Sequence, residues 1–184
     1  MPDEQNQSKF ENYSMSFDGS SEYVDLGNTE TVKLGAGDFT FSAWINPISW
    51  GSVYEGIYVN AAINGVFIGK DNAGNFVLRI YGVSNIITYS TLPTVNTWTH
   101  ICITRNNGLC SLFYNGSSVA TATSTHDFNG TANVFIGSDN SGADFNGNID
   151  QVAIFDYSLS QAQVDYLYNS GTPVNPMALT PLPT

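Results

Sequence analysis

Residues 39–45 read Phe39-Thr40-Phe41-Ser42-Ala43-Trp44-Ile45, and residues 98–105 read Trp98-Thr99-His100-Ile101-Cys102-Ile103-Thr104-Arg105. The first stretch alternates large apolar groups with small ones, the mark of a strand with one buried face. The second is mixed on both faces, which suits a strand inside a packed sandwich. Working outward, similar stretches bounded by Gly, Asn, Asp or Pro fall at 13–17, 22–26, 38–46, 53–59, 64–69, 75–81, 85–91, 97–105, 109–115, 117–123, 132–137 and 147–156. Short strands with such regular turn signals predict an all-β sandwich rather than a βαβ fold.

One helix interrupts this pattern near the C-terminus. Ser160-Gln161-Ala162-Gln163 has the form of a capping box, and Ala162, Val164, Leu167 and Tyr168 give a partial apolar stripe. Gly171 is placed to close it in the left-handed conformation. Beyond lie Pro173, Pro176, Pro181 and Pro183, which keep the tail extended and unpaired. The chain therefore divides into a polar arm (1–12), a sandwich (13–171) and a Pro-rich tail (172–184).

Composition supports this division. A chain of 184 residues buries roughly 70% of the surface its unfolded form exposes. Charged residues make up 11% and the net charge is −11. Polarity comes instead from 20 Asn, 19 Ser, 16 Thr and 17 Gly, residues of turns and strands. Three Trp, 10 Tyr and 11 Phe supply a core. Lys9, Lys33, Lys70, Arg79 and Arg105 are scattered, so no basic patch exists for phosphate backbones or anionic membranes. No apolar run approaches the roughly 20 residues of a membrane span. Met1 to Ser16 has no apolar centre, so the expectation is a chain made without an export signal of its own.

Cys102 and Cys110 flank Asn106-Asn107-Gly108, a hairpin signal. A two-residue loop at Asn107-Gly108 sets Cys102 opposite Phe113 and Cys110 opposite Arg105, with the thiols on opposite faces. A three-residue loop at Arg105–Asn107 sets them face to face. The first is favoured, leaving two free, buried thiols without metal-type spacing. An internal echo also appears. Val66-Phe-Ile-Gly69-Lys-Asp71-Asn72-Ala-Gly74 repeats as Val134-Phe-Ile-Gly137-Ser-Asp139-Asn140-Ser-Gly142, read as two strands ending in the same Asx-Gly turn.

The order of motifs carries a resemblance. Phe17-Asp18-Gly19-Ser-Ser-Glu-Tyr23-Val24 precedes the 39–45 strand. The 98–105 strand is followed by Leu112-Phe-Tyr-Asn115-Gly116, and the series closes with Phe145-Asn-Gly147-Asn-Ile149-Asp150-Gln-Val152-Ala-Ile154-Phe-Asp156-Tyr-Ser-Leu159-Ser160. Over about residues 13–170 the chain resembles the laminin-G-like, concanavalin A-like lectin/glucanase superfamily in its pentraxin-related branch. The resemblance implies a jelly-roll sandwich of two antiparallel sheets, one of them curved, and with the helix read above the expected fold is an all-β jelly roll with one short C-terminal helix. It also implies that the first and last strands pair, bringing Asp18 close to Asp150. Such pairing leaves fewer open edges.

Catalysis is not expected. Glycoside hydrolysis needs two carboxyl groups about 5–10 Å apart, and glucanases of this superfamily carry them as Glu-x-Asp-x-x-Glu on one strand. The nearest internal acidic pair here, Glu22 and Asp25, would face opposite sides of a strand. His100 and His126 accompany no hydrolase or zinc motif. The resemblance implies a structural Ca2+ near Asp150, helped by Asp18 and Gly19. Asp139, Asn140 and Asp144 form an alternative oxygen cluster, but the loop lacks D-x-D-x-D-G spacing, and the plainer reading is that Asp139 and Asn140 cap a turn while Asp150 accepts backbone hydrogen bonds. For a sugar site, Trp50, Tyr54, Tyr58, Tyr81 and Tyr89 lie in or beside loops, with Lys70, Asp71, Asn72 and Asn75 as polar partners, whereas Trp44 and Trp98 read as core. From these the expected ligand set is Trp50, Tyr54, Tyr58, Asp71 and Asn72. Asn12-Tyr-Ser, Asn115-Gly-Ser and Asn129-Gly-Thr read as chance glycosylation matches in an Asn-rich chain.

Two functions follow as expectations. The first is a lectin-like structural protein decorating a virion surface, such as a phage capsid or tail, or another extracellular-facing assembly. Its tails would hold it to other assembly proteins or to further copies of itself. The second is a carbohydrate-binding module for surface or soluble glycans, with or without calcium. Neither involves nucleic acid or membrane insertion.

Overall fold

A computed structural model describes residues 14–172 together with Val174 and Pro176. Its strands are β1 (Met15–Asp18), β2 (Val24–Gly27), β3 (Phe39–Pro47), β4 (Glu55–Asn60), β5 (Val66–Lys70), β6 (Phe76–Ile80), β7 (Ser84–Tyr89), β8 (Thr99–Asn106), β9 (Leu109–Tyr114), β10 (Ser117–Thr123), β11 (Val134–Ile136) and β12 (Asn146–Phe155), followed by helix α1 (Gln161–Tyr168). Each strand boundary falls within two residues of the expected one. One sheet runs β1-β12-β3-β8-β9-β10 and the other β2-β11-β4-β5-β6-β7, every pairing antiparallel. The fold is the all-β, two-sheet sandwich expected. First and last strands do pair, with Met15 opposite Ile149 and Asp18 opposite Asn146.

The core lies between the sheets. Phe41, Ala43 and Ile45 of β3, Ile101 and Ile103 of β8, and Ile149 of β12 face Tyr58, Ile68, Leu78 and Ile136 of the second sheet. At one end Arg105 is buried. It donates from Nε to Gly37 O (2.8 Å) and from its terminal nitrogens to His126 O (2.6 Å), Gly35 O (2.8 Å) and Gly37 O. The Phe39 and Phe128 rings stand against its guanidinium at 4.8 and 5.2 Å. Carbonyls and aromatic faces thus replace the carboxylate a buried cation usually requires.

The β8–β9 hairpin settles the cysteines. Asn107 and Gly108 take φ of 47° and 83°, the left-handed pair of a two-residue turn that Asn-Gly favours. Cys102 then opposes Phe113, Cys110 opposes Arg105, and both thiols are free and buried.

Helix α1 covers the outer face of the first sheet. Ser160 Oγ and Gln163 complete the capping box, and Val164 and Leu167 pack on Cys102 and Phe113. The Tyr168 ring stacks over Trp44 and His100 at 5.9 and 6.3 Å between centroids. Beneath it, His100 Nε2 lies 2.8 Å from Ser42 Oγ. Two expectations change here. The helix closes at Asn169 (φ 40°) rather than Gly171, because Asn tolerates the left-handed conformation. Trp98 is 39% exposed, not core, because the β3–β8 ladder ends at the Ile45–Thr99 pair and leaves Trp98 beyond it.

Candidate functional site

The outer face of the second sheet carries an apolar floor of its own. Strand register places Val59, Phe67 and Arg79 side by side on β4, β5 and β6, on the side away from Tyr58, Ile68 and Leu78. Val59, Phe67 and Val77 join Ala143 in a cluster separate from the main core, with Tyr54 and Tyr81 at its margin. Ala143 arrives on the β11–β12 loop, which is tied to β4 by Gly56 N donating to Ala143 O (2.9 Å). Gly137 starts that loop at φ 84°, where a side chain would run into the Phe17 ring. The result is a pocket of about 360 Å3 lined by Val53, Tyr54, Phe67, Arg79, Tyr81, Asp139 and the Ser141–Ala143 segment.

Its polar groups are held in place. The guanidinium carbon of Arg79 lies 4.9 Å from the Tyr54 ring centroid, and Tyr54 meets Phe67 edge-on at 5.7 Å. Tyr81 OH donates to Asp139 Oδ2 (3.0 Å). Asp139 Oδ1 accepts the backbone N–H of Ser141 (2.8 Å) and of Ala143 (3.1 Å). Burial alone would raise the Asp139 carboxyl, but the hydrogen bonds from Ser141, Ala143 and Tyr81 outweigh it and hold it below the usual range. Tyr81 is pushed up, by burial first and by the Asp139 charge second. The site therefore presents an ionised carboxylate, a protonated phenol, a guanidinium and an aromatic face over an apolar floor.

The sequence echo explains one wall. Strands β5 and β11 flank β4, and Val59 pairs with Phe67 on one side and with Phe135 on the other. Asp71, the counterpart of Asp139, accepts from Ala73 N (3.0 Å) and Asn75 N (2.8 Å). The expected pair of Asx-type turns is present.

Of the aromatic candidates read from sequence, Tyr54 and Tyr81 line the pocket; of the narrower ligand set Trp50, Tyr54, Tyr58, Asp71 and Asn72, Tyr54 alone does. Tyr58 is a core residue, its hydroxyl donated to Val32 O and its ring 5.1 Å from Phe41. A bulge between Gly56 and Tyr58 turns it inward. Trp50 is half-buried, donates Nε1 to Pro93 O (2.8 Å) and rests 5.7 Å from Phe145. Asp71 serves its own turn, where burial is outweighed by donors from Asn75, Ala73 and Asn85 and its pKa is lowered. Asn72 is exposed at the tip of that turn. Tyr89 packs on Tyr114 at 5.5 Å. Arg79 was legible only as a cation at an outward position of an otherwise apolar strand, Phe76–Ile80.

The metal set expected from the resemblance does not assemble. Asp18 opposes Asn146 and Asp150 opposes Trp44, so the two lie four positions apart along β12, about 13 Å. Asp18 Oδ1 is taken by Ser20 N and Ser20 Oγ, both at 2.8 Å. Asp150 is raised by burial and accepts from Gln151 N. Gly19 turns at φ 77° against Asn146. In the alternative cluster, Asp139 is engaged as above, Asn140 donates its N–H to Ser138 Oγ (2.8 Å), and Asp144 accepts from Ser138 Oγ. Among the described residues no three His, Cys, Asp or Glu side chains converge on a metal position. The flanking arm and tail, on which the virion expectation rests, lie outside the described residues except for Thr172, Val174 and Pro176.

Comparison with solved structures gives the same fold at low identity. Domain 4 of AbnA, an extracellular arabinanase from Geobacillus stearothermophilus solved with arabinotriose, superposes with a TM-score of 0.70 at 20% identity, over 84% of this chain and 76% of that chain. The binding domain of Paraclostridial Mosquitocidal Protein 1 gives 0.68 at 20% identity over 85% of this chain, which spans 43% of that one. A heptameric SAP-like pentraxin from Limulus polyphemus gives 0.64 at 18% identity, over 89% of this chain and 84% of that chain. No curated protein matches the chain by sequence. A family model described as concanavalin A-like lectin/glucanases superfamily matches residues 18–165, and the chain belongs to that family.

Proposed function

We propose that the chain is a non-catalytic carbohydrate-binding module whose ligand occupies the Tyr54–Arg79–Tyr81–Asp139 pocket. The observation that carries this reading is the convergence of an aromatic face, a guanidinium and a carboxylate above an apolar floor. A sugar ring has an apolar C–H face and a rim of hydroxyls. Aromatic carbon takes the first, and charged hydrogen-bonding groups orient the second. The absence of catalysis rests on the pocket's chemistry. Asp139 is the one carboxylate among its described lining residues, and its pKa is lowered where a general acid needs it raised. The fold likeness to an arabinanase domain solved with arabinotriose supports the reading.

A glycan array probed with and without calcium, followed by calorimetry on the best hit, tests it. Tyr54→Ala should weaken binding at least about tenfold, near 1.4 kcal/mol, with the melting transition retained. An array silent in both buffers would overturn the proposal. Loss of binding in chelator would show that binding depends on calcium.

A further inference from the structure

Resting on that glycan reading, we infer that the pocket takes a sugar carrying a carboxylate, seated on Arg79. Four cations fall among the described residues, and three are engaged by the protein itself. Lys33 pairs with Glu30 at 3.1 Å, Lys70 donates to Val53 O at 2.7 Å, and Arg105 is consumed by three backbone carbonyls. Arg79 lines the pocket in another way. It is held by stacking on Tyr54, and its Nε is buried with no hydrogen-bond partner. The sole ion pair among the described residues is Lys33–Glu30, so no described carboxylate neutralises Arg79.

A guanidinium in this state offers a planar fork of donors whose best complement is a carboxylate, bound through two parallel hydrogen bonds. Asp139 then decides orientation. Three of its roughly four acceptor positions are used by Ser141, Ala143 and Tyr81. The Ser141 hydroxyl also bears on this carboxylate, so a ligand hydroxyl would share or displace it, while the Asp139 charge repels a second anionic group. The chain's net charge of −11 also disfavours polyanions such as densely sulfated glycans. A ring bearing one carboxylate and several hydroxyls satisfies both ends of the site.

Hexuronates and sialic acids share this chemistry, and the test separates them. Calorimetry with the full chain would use a galacturonic acid trimer, sialyllactose, and the methyl esters of both, which keep the shape and remove the charge. At least one acid form should bind about tenfold or more tighter than its ester. Arg79→Gln should abolish that difference while leaving the melting temperature near wild type. Equal affinity for acid and ester, or binding of neither, overturns the inference. If neutral glycans then bind on the array and are lost in Tyr54→Ala, the carbohydrate reading stands without it. If the array is silent as well, both fall.

Discussion

Asp71 and Asp139 perform the same task on either side of strand β4. Each ends a Val-Phe-Ile-Gly strand and turns its Oδ1 to the N–H groups two and four residues ahead. Only one of the two turns became a pocket wall. The Asp139 turn meets Tyr81 at 3.0 Å, whereas Asp71 Oδ2 meets the amides of Asn75 (3.2 Å) and Asn85 (3.4 Å).

Both carboxyls are held below the usual aspartate range, so the sign of their pH effect is fixed. Their stabilisation is present above the unfolded value near 3.9 and is lost as pH falls through the folded value. Asp71→Asn and Asp139→Asn should each cost about 1 kcal/mol at neutral pH and flatten the acid limb of a urea stability profile. Only the second should weaken glycan binding.

His100 titrates in a different window. Burial lowers its imidazole to about 4, against about 6.5 when unfolded. The unfolded chain therefore takes up a proton that the fold refuses, and stability falls as pH drops from about 6.5 to 4. His100→Gln, which keeps a partner for Ser42, should remove the slope in that interval. A profile unchanged by the substitution would show that His100 does not carry it.

Arg105→Ala should destabilise by about 3 kcal/mol or more, because the Gly35, Gly37 and His126 carbonyls lose their shared donor. Arg105→Lys should recover little, since a single ammonium cannot reproduce the guanidinium's fixed fork. Denaturant midpoints at constant slope would report both.

Tyr58 and Tyr54 offer a contrast between core and site. Tyr58→Phe removes the hydrogen bond to Val32 O and should cost about 1 kcal/mol of stability with ligand affinity intact. Tyr54→Ala should do the reverse, lowering affinity with a smaller effect on the denaturant midpoint.

The strands and the β8–β9 hairpin register could be read from local signals, because alternation and the Asn107-Gly108 turn act over a few residues. Tyr58 could not. Simple alternation from Glu55 places it outward, and the bulge that turns it inward depends on how β4 meets β5. The pocket was illegible for a related reason. Tyr54, Arg79, Tyr81 and Asp139 come from segments that meet only because β4 lies between β11 and β5, an order no local pattern states. Alternation does put Arg79 on the outward side of β6, but it does not say that Tyr54 will lie beside it. Trp98 fails differently: its neighbours read as strand, yet the ladder stops one residue short of it.

The β1–β12 pairing and the seat of α1 have a practical consequence for handling the domain. The chain begins its described course at the edge of the first sheet and leaves it beside the helix on that sheet's outer surface. The pocket opens on the far surface of the other sheet. A tether joined at Ser14 or Thr172 would therefore leave from the first sheet's side of the domain, and a surface coated through it would present the pocket outward.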